Sequence, residues 1–332
     1  MKMTQLPNPT NSAPAANVAI TLNAVFVAIE HESPKVLCTC DNEDVFSLPY
    51  GPFHPERHRT FEIGVREWVE RQTQLSLGHI EQLYTFGDMG REATERGANG
   101  ERIVSVGYLA IADAPSPVDK GQATWRDWYT FFPWEDWRDG EPEILRQEIL
   151  PRLDKWAREA TSAARKDTRR RRINISFGRD EYLWEEARIL DRYELMYEAR
   201  LVAEVARDHG DDDNSEYYGA AMAADHRRIL ATAISRVRGK LRYRPIIFEM
   251  TPPEFTLLRL QLIIEAIVGF PFHKQNFRRS VEKSGMVERT SAMATQASGR
   301  PAALYRVNRA GLREQTAIGL AFPKFRGSIG SG

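Results

Sequence analysis

Residues 255–307 read FTLLRLQLIIEAIVGFPFHKQNFRRSVEKSGMVERTSAMATQASGRPAALYRV, and the order of elements in this stretch decides the C-terminal fold. The run LLRLQLIIEAIVG predicts an apolar helix stopped by Gly269, with Thr251 as its expected cap and Pro252 or Pro253 near the first turn. HKQNFRRSVEKSG predicts a second, shorter helix stopped by Gly285. MVERTSAMATQASGRPAALYRV then reads as two strands joined at the turn-forming ASGRP. Helix, turn, helix and hairpin in this order are the elements of a winged helix-turn-helix domain. On the second helix Phe277, Val281 and Ser284 recur at i, i+4 and i+7, so that face packs against the preceding helix. Lys274, Gln275, Arg278 and Arg279 then point away from the core. Arg and Gln make the two-pronged contacts that base edges allow in the major groove, and Lys suits phosphate. Arg300, at the hairpin turn, is a further candidate for a phosphate or the minor groove; a water-exposed turn residue is the plainer alternative.

Charge agrees with this placement. The chain of 332 residues has zero formal net charge, but from residue 270 onward bases such as Lys274, Arg278, Arg279, Lys283 and Arg289 outnumber the acids Glu282, Glu288 and Glu314. A neutral protein with one basic end suits a DNA reader attached to a different module. The length allows two or three domains of about 100–200 residues each. The polar N-terminus MKMTQLPNPTNSAPAAN has no apolar signal core and reads as a disordered leader over residues 1–16. The most apolar run, FTLLRLQLIIEAIVGF, is broken by Arg259, Gln261 and Glu265, so a cytoplasmic protein without membrane contact is expected. The two cysteines, Cys38 and Cys40, have no His or Cys cluster beside them; buried thiols are expected, without disulfide or metal.

Upstream, residues 17–140 read as an α+β domain. VAITLNAVFVAIE and KVLCTC form a hairpin, TFEIGVREWVERQT an amphipathic helix, and LYTFGD, RIVSVGYLAIA and DWYTFFPW further strands. Residues 141–240 are nearly all helix formers and read as a helical connector. There ILRQEILPRLDKWAREATSAARK is one helix with Pro151 as its bend, and DEYLWEEARILDRYELMYEARLVAEVARDHG is a long helix buried on more than one side. The acid run Asp211–Asp213 reads as an exposed loop or a helix N-terminus, and RRRR at 169–172 as a solvated loop, with nucleic-acid contact as the alternative. YRPIIFEM reads as a strand opening the winged domain, 241–326, before a flexible tail at 327–332.

EQLYTFGDMGR, SVGYLAI, DHRRILATAISRVRGKLRYRPIIFE, FTLLRLQLIIEAIVG, HKQNFRR and GRPAALYR together resemble the Nudix-related transcriptional regulators (NrtR), in particular their NadQ-type branch, over residues 18 to 310. The resemblance implies a Nudix-like α/β/α sandwich as sensor, a helical connector and a C-terminal winged helix, assembled as a homodimer on palindromic operator DNA. It also implies repression of NAD biosynthesis genes, tuned by NAD or a related adenine nucleotide such as ADP-ribose or ATP.

Nudix hydrolases carry a box, Gx5Ex7REUxEExGU, whose glutamates hold Mg²⁺ against a diphosphate. GPFHPERHRTFEIGVREWVERQTQL stands in its place. Arg66 and Glu67 match the RE pair and Glu70 the first of the two later glutamates. Arg71 replaces the second, Arg57 or His58 the early one, and Thr73 or Gln74 the helix-ending glycine. A cation at a ligand position opposes Mg²⁺, so the domain is expected to bind a nucleotide without hydrolysing it and to need no cofactor. The alternatives are an active Nudix hydrolase of ADP-ribose or a similar diphosphate, a repressor that hydrolyses its own effector, and a dimeric scaffold without nucleotide. Candidate ligand residues are Arg66, Arg91 and Arg102 for phosphates, Phe86 for the base, and Glu67 and Glu70 on the box helix. Trp134 and Trp137 are stacking candidates whose plainer reading is core, and His226 reads as a hydrogen-bonded connector residue.

Overall fold

The computed structural model describes residues 17–40, 45–88, 91, 102–112, 115, 116, 118, 123–210, 216–241, 246–294 and 301–311. The leader 1–16, the acid run Asp211–Asp213, Arg300 and the tail 327–332 lie outside them.

The longest strand, β1 (Val18–Glu30), organises the sheet. It turns through His31 and Glu32, both left-handed (φ 46 and 63), into the antiparallel β2 (Ser33–Cys40). β3 (Phe46–Ser47) pairs with β2, and β4 (Tyr50–Pro52) pairs with the first half of β1. α1 (Phe61–Thr73) follows, then β5 (Ile80–Phe86), β6 (Arg102–Ile111) and β7 (Ala123–Asp127). The sheet path is β3-β2-β1-β6-β5; β1 and β6 are parallel and the other pairs antiparallel.

The period of two along β1 separates two cores. Leu22, Ala24 and Phe26 pack with Val65 and Val69 of α1, whereas Val25, Val27 and Ile29 join the cluster on the opposite face. A strand buried on both sides needs apolar residues at consecutive positions, and β1 supplies them. Gly51 in β4 allows α1 to lie close: a Cβ there would stand 2.2 Å from the Trp68 indole.

The opposite face is covered by helices from later in the chain. A wide π turn (Leu145–Ile149) runs into α2 (Leu150–Arg158), followed by α3 (Ala163–Phe177), α4 (Ile189–Glu198), α5 (Ala203–His209) and α6 (His226–Leu241). Ile229, Leu230, Ala233, Ile234 and Val237 of α6 share the cluster of Val25, Val27 and Leu109. The expected α/β/α layering is present, with its second helical layer drawn from the stretch read as a connector.

Several local expectations are corrected. DWYTFFPW is not a strand: after Asp127 the chain makes two 3-10 turns, Trp128–Thr130 and Pro133–Glu135. Its aromatics have strand propensity, but tertiary packing buries Trp128, Phe131, Phe132 and Trp134 completely. The helix predicted across Pro151 breaks instead at residues 159–162, where Ser162 caps α3; Pro151 sits in the first turn of α2, where its missing N–H costs nothing. The long helix predicted from Asp180 to His209 is a 3-10 turn and two short helices, α4 and α5. Residues Ile246–Glu249 of YRPIIFEM form a 3-10 turn, not a strand.

The C-terminal part has the predicted order of helix, turn, helix and hairpin, preceded by a two-residue strand: β8 (Glu254–Phe255), α7 (Leu257–Val268), α8 (Lys274–Ser284), β9 (Val287–Ala294) and β10 (Ala302–Val307). These strands form an antiparallel sheet in the order β8-β10-β9. The cap of α7 is Thr256, whose Oγ1 accepts from Arg259 N at 3.1 Å; Thr251 is buried five residues upstream and bonds to Phe248 O. Phe255, Ile263, Phe277 and Tyr305 belong to the same apolar cluster as α6, so the winged helix shares its core with the helical layer.

Candidate functional sites

α1 starts at Thr60, whose hydroxyl accepts from Ile63 N, and ends at Gln74 in the left-handed region (φ 59). Gln74 thus occupies the conformation that the missing box glycine would supply. Arg66 donates to Glu62, Leu77 O and Gly78 O, which ties α1 to the loop after it. Glu67 is held by three basic side chains: Arg57 at 2.9 Å, Arg71 at 2.6 Å and His58 Nε2 at 3.2 Å. His58 Nδ1 accepts from His54 N, so Nε2 carries the proton that it donates to Glu67. Glu70 is exposed on the same helix. Mg²⁺ needs several free oxygens in octahedral array, and this donor set does not fit it: one carboxylate is committed to bases, and Arg57, His58 and Arg71 stand beside it. Among the described residues no group of three His, Cys, Asp or Glu side chains is placed to hold a metal.

The other ligand candidates gather at one end of β5 and β6. Phe86 is buried on the α6 side of the sheet, with the Arg228 guanidinium 5.4 Å from its ring. Arg91 makes a two-pronged bond to Glu194 of α4, at 2.9 and 2.7 Å, and lies 3.8 Å over the Tyr197 ring. Arg102 donates to Gly87 O at 2.7 Å. Arg228, at the start of α6, pairs with Asp88, Glu194 and Asp225. Burial pushes the Asp225 carboxyl up to about 7, against the pull of Arg228 and Arg91. The structure therefore divides the six candidates: Arg66, Glu67 and Glu70 on α1, and Phe86, Arg91 and Arg102 at the β5–β6 end. Glu194, Asp225 and Arg228 escaped the sequence reading because they lie more than 100 residues from Arg91; the juxtaposed His-Arg-Arg opening α6 was the one local signal.

Trp134 and Trp137 are core residues, and Trp137 stacks on Phe270 at 5.3 Å. His226 is buried and accepts from Leu48 N at 3.1 Å; burial, with Arg207 nearby, pushes its pKa down to about 3. Cys38 is a buried free thiol pushed up to about 12 by burial, and Cys40 is free and half-buried. The 169–172 run is not a loop but lies within α3, where Arg169 bonds to Trp156 O and covers its ring, and Arg172 pairs with Glu198.

A buried polar junction joins the helical layer to the winged helix. Glu135, Arg192 and Arg238 have no exposed side-chain surface; Arg192 and Arg238 both bind the Glu135 carboxylate. Burial alone would raise Glu135, but the two guanidiniums overcome it and hold the carboxyl below its ordinary value. Arg238 Nε also donates to Ile267 O at 2.8 Å and Tyr129 Oη to Ala266 O at 2.7 Å, which satisfies carbonyls at the C-terminus of α7. Gly269 closes α7 with φ +83, and its carbonyl accepts from Trp137 N at 2.7 Å.

The turn between α7 and α8 is set by Glu265, which accepts from Phe272 N at 2.6 Å and Gln261 Nε2 at 2.8 Å. Phe272 and Phe277 stack with ring centres 6.0 Å apart. On α8 Phe277 and Val281 are buried, whereas Lys274, Gln275, Arg278 and Arg279 are exposed. The structure brings these four onto one solvent-facing surface; Arg300 is outside the described residues.

Together these features define a two-part protein: a mixed sheet between helical layers, locked through buried charges to a winged helix that presents a basic second helix. Residues 247–307 match the model described as the NrtR DNA-binding winged helix domain. The chain is 42% identical over 85 residues to the "ADPR responsive transcriptional repressor NtrR" of Acinetobacter baylyi, a match covering 26% of this chain and 34% of that relative. The match thus spans about a third of that curated relative's length. Among solved structures, Shewanella oneidensis NrtR complexed with a 27mer DNA is 19% identical, with 91% of this chain and 97% of that chain covered at a TM-score of 0.48. The Nudix domain of the same protein, complexed with ADP ribose, is 22% identical, covering 36% of this chain and 78% of that chain at a TM-score of 0.30.

Proposed function

We propose that this chain is a cytoplasmic transcriptional repressor of NAD biosynthesis genes. It acts as a homodimer whose two α8 helices enter successive major grooves of a palindromic operator. An adenine nucleotide of the ADP-ribose class binds its Nudix-like domain and changes the grip on DNA. The observation that carries the DNA half is the division of α8, with Phe277 and Val281 buried and Lys274, Gln275, Arg278 and Arg279 exposed on a domain of the NrtR type. The ADP-ribose half takes its support from the name of the Acinetobacter relative. The sites of phosphate contact proposed here are Arg91 and Arg102, at the β5–β6 end. The commitment of Glu67 to Arg57, His58 and Arg71 supports a domain that binds without hydrolysing.

Duplexes selected from a randomised pool by the full-length protein should carry an inverted repeat. Arg278→Ala should erase the preference at one base pair per half-site, at a cost of about 1–3 kcal/mol. ADP-ribose, NAD or ATP at millimolar concentration should shift the affinity; no shift with any of them removes the sensing half. Hydrolysis of ADP-ribose to AMP and ribose 5-phosphate with Mg²⁺ should be negligible. Robust turnover that Glu70→Gln abolishes would establish the active hydrolase instead.

A further inference from the structure

The exposed face of α8 is tied to the hairpin by one carboxylate. Arg278 Nε donates to Glu282 Oε1 at 3.1 Å, and Tyr305 Oη donates to the same oxygen at 3.0 Å. The two donors differ in rigidity. Tyr305 lies on β10, the middle strand of the small sheet, opposite Phe255 on one side and Arg289 on the other. The residue is only 7% exposed, so its ring is fixed by the core and its hydroxyl marks a constant point at the surface. The Arg278 side chain is 64% exposed, on a long and rotatable stem.

An exposed pair spaced i, i+4 contributes little to stability. An anchor on the core suits a different task, which is to limit where the guanidinium points. The bond uses Nε and leaves the Nη1/Nη2 end, the fork that fits guanine O6 and N7. A side chain held in its bound orientation loses less freedom when DNA arrives.

We propose that Glu282 and Tyr305 are positioning residues for Arg278, which hold its fork ready for a base edge and make base selection depend on the seating of the hairpin against α8. The proposal rests on reading α8 as the recognition helix. Neither residue needs to touch DNA. Both act through Arg278.

A double-mutant cycle tests this in the full-length protein. The probes are the best duplex selected by the wild type from a randomised pool and a scrambled duplex of equal length. Tyr305→Phe keeps the buried ring, and a thermal melt verifies the fold; Glu282→Gln, at the surface, is the second variant. Each should weaken binding to the selected duplex about 2- to 10-fold, the worth of ordering one side chain. Tyr305→Phe should leave the scrambled duplex unaffected, and neither change should weaken selected-duplex binding further once Arg278→Ala is present. An equal penalty on both duplexes, or an undiminished penalty beside Arg278→Ala, would make Tyr305 and Glu282 merely structural and overturn the proposal. If Arg278→Ala itself leaves the base preferences unchanged, the recognition-helix reading fails and takes the proposal with it.

Discussion

Asp225 shows how one residue acquires a property from its surroundings. It lies beside Arg228 at the start of α6, nearly buried, and burial raises its pKa to about 7. The folded chain therefore keeps a proton that the unfolded chain releases from about pH 4 upward, which lowers stability progressively until about pH 7. Asp225→Asn removes that penalty, while Arg228 retains Asp88 and Glu194. The gain in melting temperature of the variant over the wild type should grow between pH 5 and pH 8. Buried neutral His226 acts in the opposite sense, losing stability as pH falls from 6.5 toward 3, but it is common to both proteins and cancels in the comparison. A gain that stays constant over this range would contradict the raised pKa.

At the scale of the element, α1 is a capped helix that ends without glycine. Thr60 caps its start and Trp68 lies on Gly51, yet Gln74 must adopt φ 59 where the motif has glycine. A non-glycine residue in that region costs about 1 kcal/mol or more, and glycine there pays part of this back in entropy. Gln74→Gly is accordingly expected to stabilise the domain by up to about 1 kcal/mol, measured by urea unfolding. α8 teaches a related lesson. Its helical phase alone separated Phe277 and Val281 from Lys274, Gln275, Arg278 and Arg279, because a short surface helix has one buried face and no competing neighbour. The aromatic run after Asp127 misled for the converse reason: propensity describes a half-buried strand, and these residues are packed on all sides.

Across the whole molecule, the Glu135–Arg192–Arg238 junction is where the sheet, the helical layer and the winged helix meet. Fully buried charges are expensive, and this set persists because each guanidinium also binds backbone carbonyls. Arg238→Met would leave Glu135 with one partner and the end of α7 with a lost donor. Removing one member of a buried pair costs about 3–5 kcal/mol, and a loss of that size should appear in denaturant unfolding followed through the buried tryptophans. A change below about 1 kcal/mol would show that the junction tolerates an apolar substitute, as some buried ion pairs do.

What the sequence determined by itself was local: strands β1, β2, β5 and β6 from their apolar pattern, α1 and α8 from helical spacing, and the order of elements in the winged helix. Each of these follows from residues within a few turns of one another. The pairing of Glu67 with Arg71 follows from their i, i+4 spacing on α1, but tertiary structure alone decided that Glu67 also meets Arg57 and His58, that Arg91 meets Glu194 across 103 residues, and that Arg238 caps α7. The physical reason is that a charge paired across the fold has no spacing signature. Its partner is chosen by whichever surfaces the apolar core brings together, and that core is known only once the chain has folded.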